Sequence, residues 1–147
     1  MMASSYLLRY HVFYYQRIAQ LKEQVRELRN KLDDEEFKQH EIVKFAFRVR
    51  KADQEIIPQD PDRPEYRLRG ELKKYRRYKQ GLRRYRIIFC FSSHPKIIIY
   101  LYLNDEKHLR KEGAKTDPYE KFKKLLRKGR FSHNPNDTKT QEWIRKQ

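Results

Sequence analysis

The period of the apolar positions changes twice along this chain, and the changes divide it into three zones. Tyr14, Ile18, Leu21, Val25, Leu28 and Leu32 recur at alternating spacings of four and three. That is the stripe of one helix face, and it predicts a helix over 6–32. The acidic run Asp33-Asp34-Glu35-Glu36 breaks the stripe and supplies a new N-cap with acids in its first turn. A second helix over 35–54 follows, with Phe37, Ile42, Phe45, Ala46 and Val49 on its inner face. Two helices with a short joint predict a helical hairpin over 1–55. Pro58, Pro61 and Pro64 then stop the helix and predict a loop over 56–64.

Beyond the prolines the period falls to two. Strands are predicted over 65–72, where Gly70 interrupts, over 75–80, 85–92 and 96–103, the last two rich in Ile, Phe and Tyr. Ser92-Ser93-His94-Pro95 separates them as a hairpin loop. A helical pattern returns at Thr116 or Asp117 as cap, with Pro118 in the first turn, Tyr119, Phe122, Leu125 and Leu126 facing inward, and Gly129 just past the end. From 130 the chain turns polar, which predicts a loose tail ordering around Trp143. The prediction is one α+β domain over 1–147: two N-terminal helices packed on a four-stranded, mainly antiparallel sheet over 65–104, a turn and helix over 105–129, and a tail over 130–147.

Charge adds direction to this outline. The net charge is +16, and it is unevenly spread. Residues 1–65 carry 12 Lys or Arg and 12 Asp or Glu, so the excess lies wholly in 66–147. A neutral half joined to a strongly basic half implies a polyanionic partner, nucleic acid first and an acidic protein second. No apolar run approaches the ~20 residues that span a bilayer, and Arg9 interrupts Tyr6-Leu7-Leu8 before a signal segment can form. A soluble cytoplasmic protein without membrane contact is expected, with the single Cys90, inside an apolar run, as a buried structural thiol.

The charge is densest in Lys73–Arg86, which holds eight Lys or Arg, three Tyr and no acid in fourteen residues. At strand parity, a hairpin turning at Gly81-Leu82-Arg83 sets Arg77, Lys79, Arg84 and Arg86 side by side on one surface. Lys73, Lys74 and Arg76 remain as steering charge. Phosphate-loop and HExxH motifs are absent, and the five His have no metal-ligand spacing. No metal and no cofactor are expected. What the cations can do is bind RNA phosphates or, given a base and an acid, stabilise the phosphorane formed when a substrate 2′-OH attacks. The residues alone leave both readings open.

Arg77-Tyr78-Lys79-Gln80-Gly81-Leu82-Arg83-Arg84-Tyr85-Arg86 resembles the central block of YhaV-type toxins. So does the gapless series Asn104-Asp105-Glu106, Leu109-Arg110, Gly113, Lys115-Thr116-Asp117, Tyr119, Phe122 and the Leu-Arg-Lys-Gly of 126–129. The resemblance implies the RelE superfamily, with a fold like that of microbial ribonucleases. It implies a toxin of a type II toxin–antitoxin module, a metal-independent endoribonuclease acting on mRNA under translation on the ribosome. A PrlF-type antitoxin with an AbrB-like domain would neutralise it, and operator DNA would be reached only through that complex. By position, Arg77, Lys79, Arg84, Arg86 and Tyr119 would be catalytic. Asp105, Glu106, Arg110 and Lys115 would support the site or bind RNA, with Asp105 or Glu106 either a base or, preferably, the partner that orients Arg110. Two alternatives are a non-catalytic RNA- or ribosome-binding module and a ParE-like toxin directed at a protein.

Overall fold

The computed structural model describes residues 6–135, 137, 140, 144 and 145. It begins with a strand, β1 (Leu7–His11), where the sequence pattern predicts the first turn of a helix. The strand lies parallel to the chain's most apolar segment, from Leu7 opposite Ile97 to Tyr10 opposite Tyr100. Pairing of that otherwise open sheet edge outweighs local helical preference. The buried His11 then caps α1 (Val12–Lys31), its Nδ1 accepting from the Phe13 N–H at 3.1 Å. Its Nε2 meets the Arg130 carbonyl at 2.9 Å, and burial lowers the imidazole pKa to about 4, so the ring is neutral.

The second predicted helix is divided. The joint behaves as expected: Asp33 and Glu36 form a reciprocal capping box that opens α2 (Asp34–Gln39). His40 then leaves helical geometry and accepts from the Ile42 N–H, opening α3 (Glu41–Lys51). This helix runs on through a π-turn, Ala52–Ile56, into the single turn α4 (Ile57–Gln59), so helical structure reaches past Pro58.

The π-turn buries Asp53, which accepts from the Tyr14 hydroxyl at 2.7 Å and from Gln54 Nε2 at 2.9 Å. Its backbone carbonyl accepts from the Tyr100 hydroxyl at 2.6 Å. One turn thereby ties the end of α3 to α1 and the sheet. Burial raises the Asp53 carboxyl pKa despite the nearby Arg50 charge. Replacing Asp53 with alanine strands the buried Tyr14 hydroxyl, and a loss of about 3 kcal/mol is expected in urea denaturation.

Residues 65–72 form no strand. They make two 3-10 turns, Pro64–Tyr66 and Gly70–Leu72, joined to the sheet by a single bridge between Arg67 and Arg76. Pro64 starts the first turn, and Gly70, at φ +63°, reverses the chain before the second. The sheet proper comprises β2 (Arg76–Tyr78), β3 (Ile87–Ser93), β4 (Lys96–Leu103), β1 and the short β5 (Ile144–Arg145), in the order β2-β3-β4-β1-β5. It has five strands where four were expected. Three pairings are antiparallel, and β1–β4 is parallel.

One sheet face packs against α1 and α3 through Ile87, Phe89, Ile98 and Tyr100. The other packs against α5 (Pro118–Arg127) through Ile88, Cys90, Ile99 and Leu101, with Phe122 at the centre. A bulge places Ile88 opposite Tyr102 but Phe89 opposite Tyr100, so Leu101 and Tyr102 both join the α5 side. The segment after α5 is not loose where it is described. Phe131 stacks on Phe122 at 4.6 Å, and β5 extends the sheet beyond β1. Trp143 lies outside the described residues. Cys90 is buried as expected, its thiol pKa pushed up to about 12 by that burial.

Candidate active site

The cationic stretch is only partly strand. β2 ends at Tyr78 and β3 begins at Ile87, so Lys79, Arg84 and Arg86 lie in the connection. Strand parity therefore places only Arg77, which sits opposite Ile88 on the α5 face of the sheet. The connection has its own shape. The Leu82 N–H donates to the Lys79 carbonyl at 3.0 Å, and the Tyr85 N–H to the Leu82 carbonyl at 2.9 Å. Gly81 and Arg83 take positive φ, +74° and +54°. Leu82 is buried and Tyr85 half-buried, so two apolar anchors hold the loop while Lys79, Arg83 and Arg84 stay exposed.

Asn104 fixes where Arg84 and Arg86 sit. It ends β4, is fully buried, and spends its amide on three backbone groups. The Arg86 N–H donates to its Oδ1 at 2.7 Å; its Nδ2 donates to the Arg84 carbonyl at 3.2 Å and to the His108 carbonyl at 2.7 Å. The Asn104 backbone carbonyl in turn accepts from Arg17 Nε at 3.2 Å. A second clamp lies beside it. The Arg110 N–H donates to the Arg84 carbonyl at 2.9 Å, and Arg84 Nε donates back to the Arg110 carbonyl at 3.1 Å. The two sequence blocks thus meet through backbone groups.

The carboxylate that orients Arg110 is Asp117, not Asp105 or Glu106. Asp117 is buried as the N-cap of α5. Its Oδ1 accepts from Arg110 Nη1 at 2.6 Å and from the Lys111 N–H at 2.8 Å, and its Oδ2 from the Tyr119 N–H at 3.0 Å. Burial disfavours the Arg110 charge, but Asp117 outweighs it and raises the guanidinium above the usual arginine pKa. The same guanidinium lies 5.0 Å over the Tyr119 ring, so one buried acid positions both candidate groups. Asp105 instead holds His108, with Oδ1 2.8 Å from Nδ1. Partial burial acts to raise the Asp105 pKa, yet His108 and the Lys107 N–H lower it below the usual carboxylate value.

The remaining predicted residues divide clearly. Arg77 makes one long bond, Nη2 to the Glu65 carbonyl at 3.4 Å. Arg86 Nη1 donates to the Arg83 and Tyr85 carbonyls at 2.6 and 2.8 Å. Both arginines bury Nε without an acceptor among the described residues, as do Arg63 and Arg76. Arg76 is no steering charge: it pairs with Asp62 at 3.2 Å and lies 5.4 Å over the Phe91 ring. Lys73, Lys74, Lys115 and Glu106 are exposed. Sequence reasoning missed Arg17 and His108. Only the fold brings Arg17 to Asn104, 87 residues away, whereas the Asp105–His108 pair is local and its three-residue spacing is the one signal that could have found it.

The fold and the site define a class: an α+β protein that gathers Arg84, Arg86 and Arg110 at one end of its sheet. The YhaV toxin family, described as a toxin with endonuclease activity, of toxin–antitoxin system, matches residues 7–142, and the chain belongs to this family. It is 36% identical over 113 residues to the ribonuclease toxin YhaV of Escherichia coli strain K12, covering 74% of this chain and 71% of the relative. The toxin YhaV of Escherichia coli O157:H7 aligns with the same values. The toxin YhaV of Escherichia coli O6:H1 is 36% identical over 110 residues, covering 71% and 70%. No solved structure matches.

Proposed function

We propose that this chain is a metal-independent endoribonuclease of the RelE superfamily, the toxin of a type II module. The observation that carries this reading is the arrangement of Arg84, Arg86 and Arg110 around the Asn104 and Asp117 anchors, beside Tyr119; Arg77, on the neighbouring strand, joins it as part of the proposal. Forked guanidinium donors match phosphate oxygens and supply the positive charge that a phosphorane needs. In this reading the substrate 2′-oxygen attacks the adjacent phosphorus while His108 Nε2 takes its proton. Asp105 holds the opposite ring nitrogen and stabilises the imidazolium. The arginines hold the phosphorane oxygens. Tyr119 then protonates the departing 5′-oxygen, leaving a 2′,3′-cyclic phosphate on the upstream fragment and a 5′-hydroxyl on the other. Lys79 and Lys115 extend the cationic surface along the RNA.

The proposed substrate is mRNA under translation, which places the protein in the cytoplasm at the ribosome. Among the described residues no helix is long and apolar enough to cross a membrane. The proposed inhibitor is a PrlF-type antitoxin with an AbrB-like domain, whose acidic surface would cover the basic half of the chain and carry the complex to operator DNA.

The test is cleavage of labelled mRNA in EDTA, with and without translating ribosomes. Cut products in EDTA and growth arrest on expression are expected. Salt-sensitive binding with no products would favour a plain RNA-binding module, and gyrase inhibition without cleavage a ParE-like one. His108→Gln should lower the cleavage rate by about 10²-fold or more. An unchanged rate would remove His108 from the mechanism.

A further inference from the structure

Arg17 is the one cation of α1 drawn into the protein interior, with 9% of its surface exposed. Its Nε is satisfied by the Asn104 carbonyl at 3.2 Å. No carboxylate lies within ion-pair distance of it among the described residues, and its two terminal nitrogens have no acceptor there. Asp105, which lies near enough to feel the Arg17 charge, is engaged with His108 and the Lys107 N–H. The two terminal nitrogens of Arg17 are not among the solvent-excluded donors, so they are open to an anion that enters beside them.

The side chain lines a groove between α1, α3 and the 79–86 connection. Arg48 and Arg83 add charge to its walls, and Phe45 and Tyr85 form an aromatic pair at 4.4 Å. Two acids also line it. Glu41 is loosely paired with Arg83 at 3.9 Å, both well exposed, and Glu106 is exposed at the rim. The groove and the candidate active site share the 79–86 connection and the Asn104 anchor. The connection carries Arg84 and Arg86 in that site and Arg83 and Tyr85 in the groove wall, and Asn104 bonds to Arg17, Arg84 and Arg86.

We propose that this groove is a nucleotide subsite next to the cleavage position. Arg17 takes the backbone phosphate adjoining the scissile one, and the Phe45–Tyr85 pair takes the base that goes with it. The proposal rests on the ribonuclease reading for the scissile position alone. A cation beside an aromatic pair favours single-stranded RNA, which offers a phosphate and a base together, over an acidic protein segment, whose carboxylates make no use of the rings. A base held here would be read before cleavage, so the groove would set sequence preference.

The experiment measures binding, so it does not depend on cleavage. Fluorescence anisotropy with a short 2′-O-methyl RNA compares the wild type with Phe45→Leu, which keeps packing but removes the aromatic face, with Arg48→Ala, and with Arg17→Met. Each is expected to weaken binding by about tenfold, with the fold of Arg17→Met checked by circular dichroism. The same RNAs are then made with one abasic nucleotide at each position in turn. At one position the abasic change should weaken wild-type binding and have no further effect on Phe45→Leu. Additive losses at every position, or wild-type affinity in Phe45→Leu and Arg48→Ala, would overturn the proposal. Variants that keep RNA affinity but lose the antitoxin would do so too, and would assign the groove to that partner. A wild type that binds as expected yet never cleaves would leave the subsite standing and remove the ribonuclease reading.

Discussion

Replacing Arg77 with alanine is expected to lower RNA cleavage by about 10²- to 10³-fold and to abolish growth arrest while the protein stays folded. The two halves of this expectation have separate causes. Among the described residues Arg77 makes only one long hydrogen bond, to the Glu65 carbonyl, so its loss removes little folding energy. Its position is nonetheless set by strand pairing opposite Ile88, and the side chain is only half-buried. A guanidinium placed by the backbone and hardly used by the fold can stabilise developing charge without reorganisation. Single-turnover cleavage with thermal melting in parallel separates the two. Cleavage within threefold of wild type would remove Arg77 from the site, whereas a large fall in melting temperature would show that it serves the fold.

Asn104→Ala should show the opposite combination. Its amide satisfies the Arg86 N–H and the Arg84 and His108 carbonyls inside the protein. Alanine leaves the Arg86 N–H and the His108 carbonyl without partners, while the Arg84 carbonyl keeps the Arg110 N–H, and a loss of about 3 kcal/mol is expected in chemical denaturation. Asn104→Asp isolates the function of this hub. The carboxylate still accepts from the Arg86 N–H but faces the Arg84 and His108 carbonyls with no donor. A protein that folds but cuts poorly is therefore expected. An Asn104→Ala variant as stable and as active as the wild type would mean that the loop positions Arg84 and Arg86 by other means.

The contrast between these residues also explains what the sequence alone reveals. Periodicity identifies α1, β4 and α5, because each is long or strongly apolar and carries its own signals, such as Asp117, Pro118 and Gly129 around the last helix. It fails at β1, whose apolar residues fit a helix equally well and whose strand state comes from pairing with β4, about ninety residues away. It fails again at 65–72, where Pro64 and Gly70 win locally over alternating side chains.

Charge density marks the correct segment as cationic, but parity assigns only Arg77, because a loop with two positive-φ residues does not transmit the period of a strand. The supporting residues are the least visible of all. Asp117 already had a role as a cap, and its second role toward Arg110 exists only in three dimensions. Arg17 gains meaning only when the fold brings it to Asn104, 87 residues away, and His108 only when the turn after β4 aims it at its near neighbour Asp105.

The measurement that bears most directly on the central claim is the chemistry of the cut ends. An RNA cleaved in EDTA should yield a 2′,3′-cyclic phosphate on one product and a 5′-hydroxyl on the other. A single 2′-deoxy substitution at the cleavage position should block the cut there and nowhere else. Products ending in a 3′-hydroxyl and a 5′-phosphate, or cleavage that continues through the 2′-deoxy position, would contradict an arginine-stabilised attack by the substrate's own 2′-oxygen.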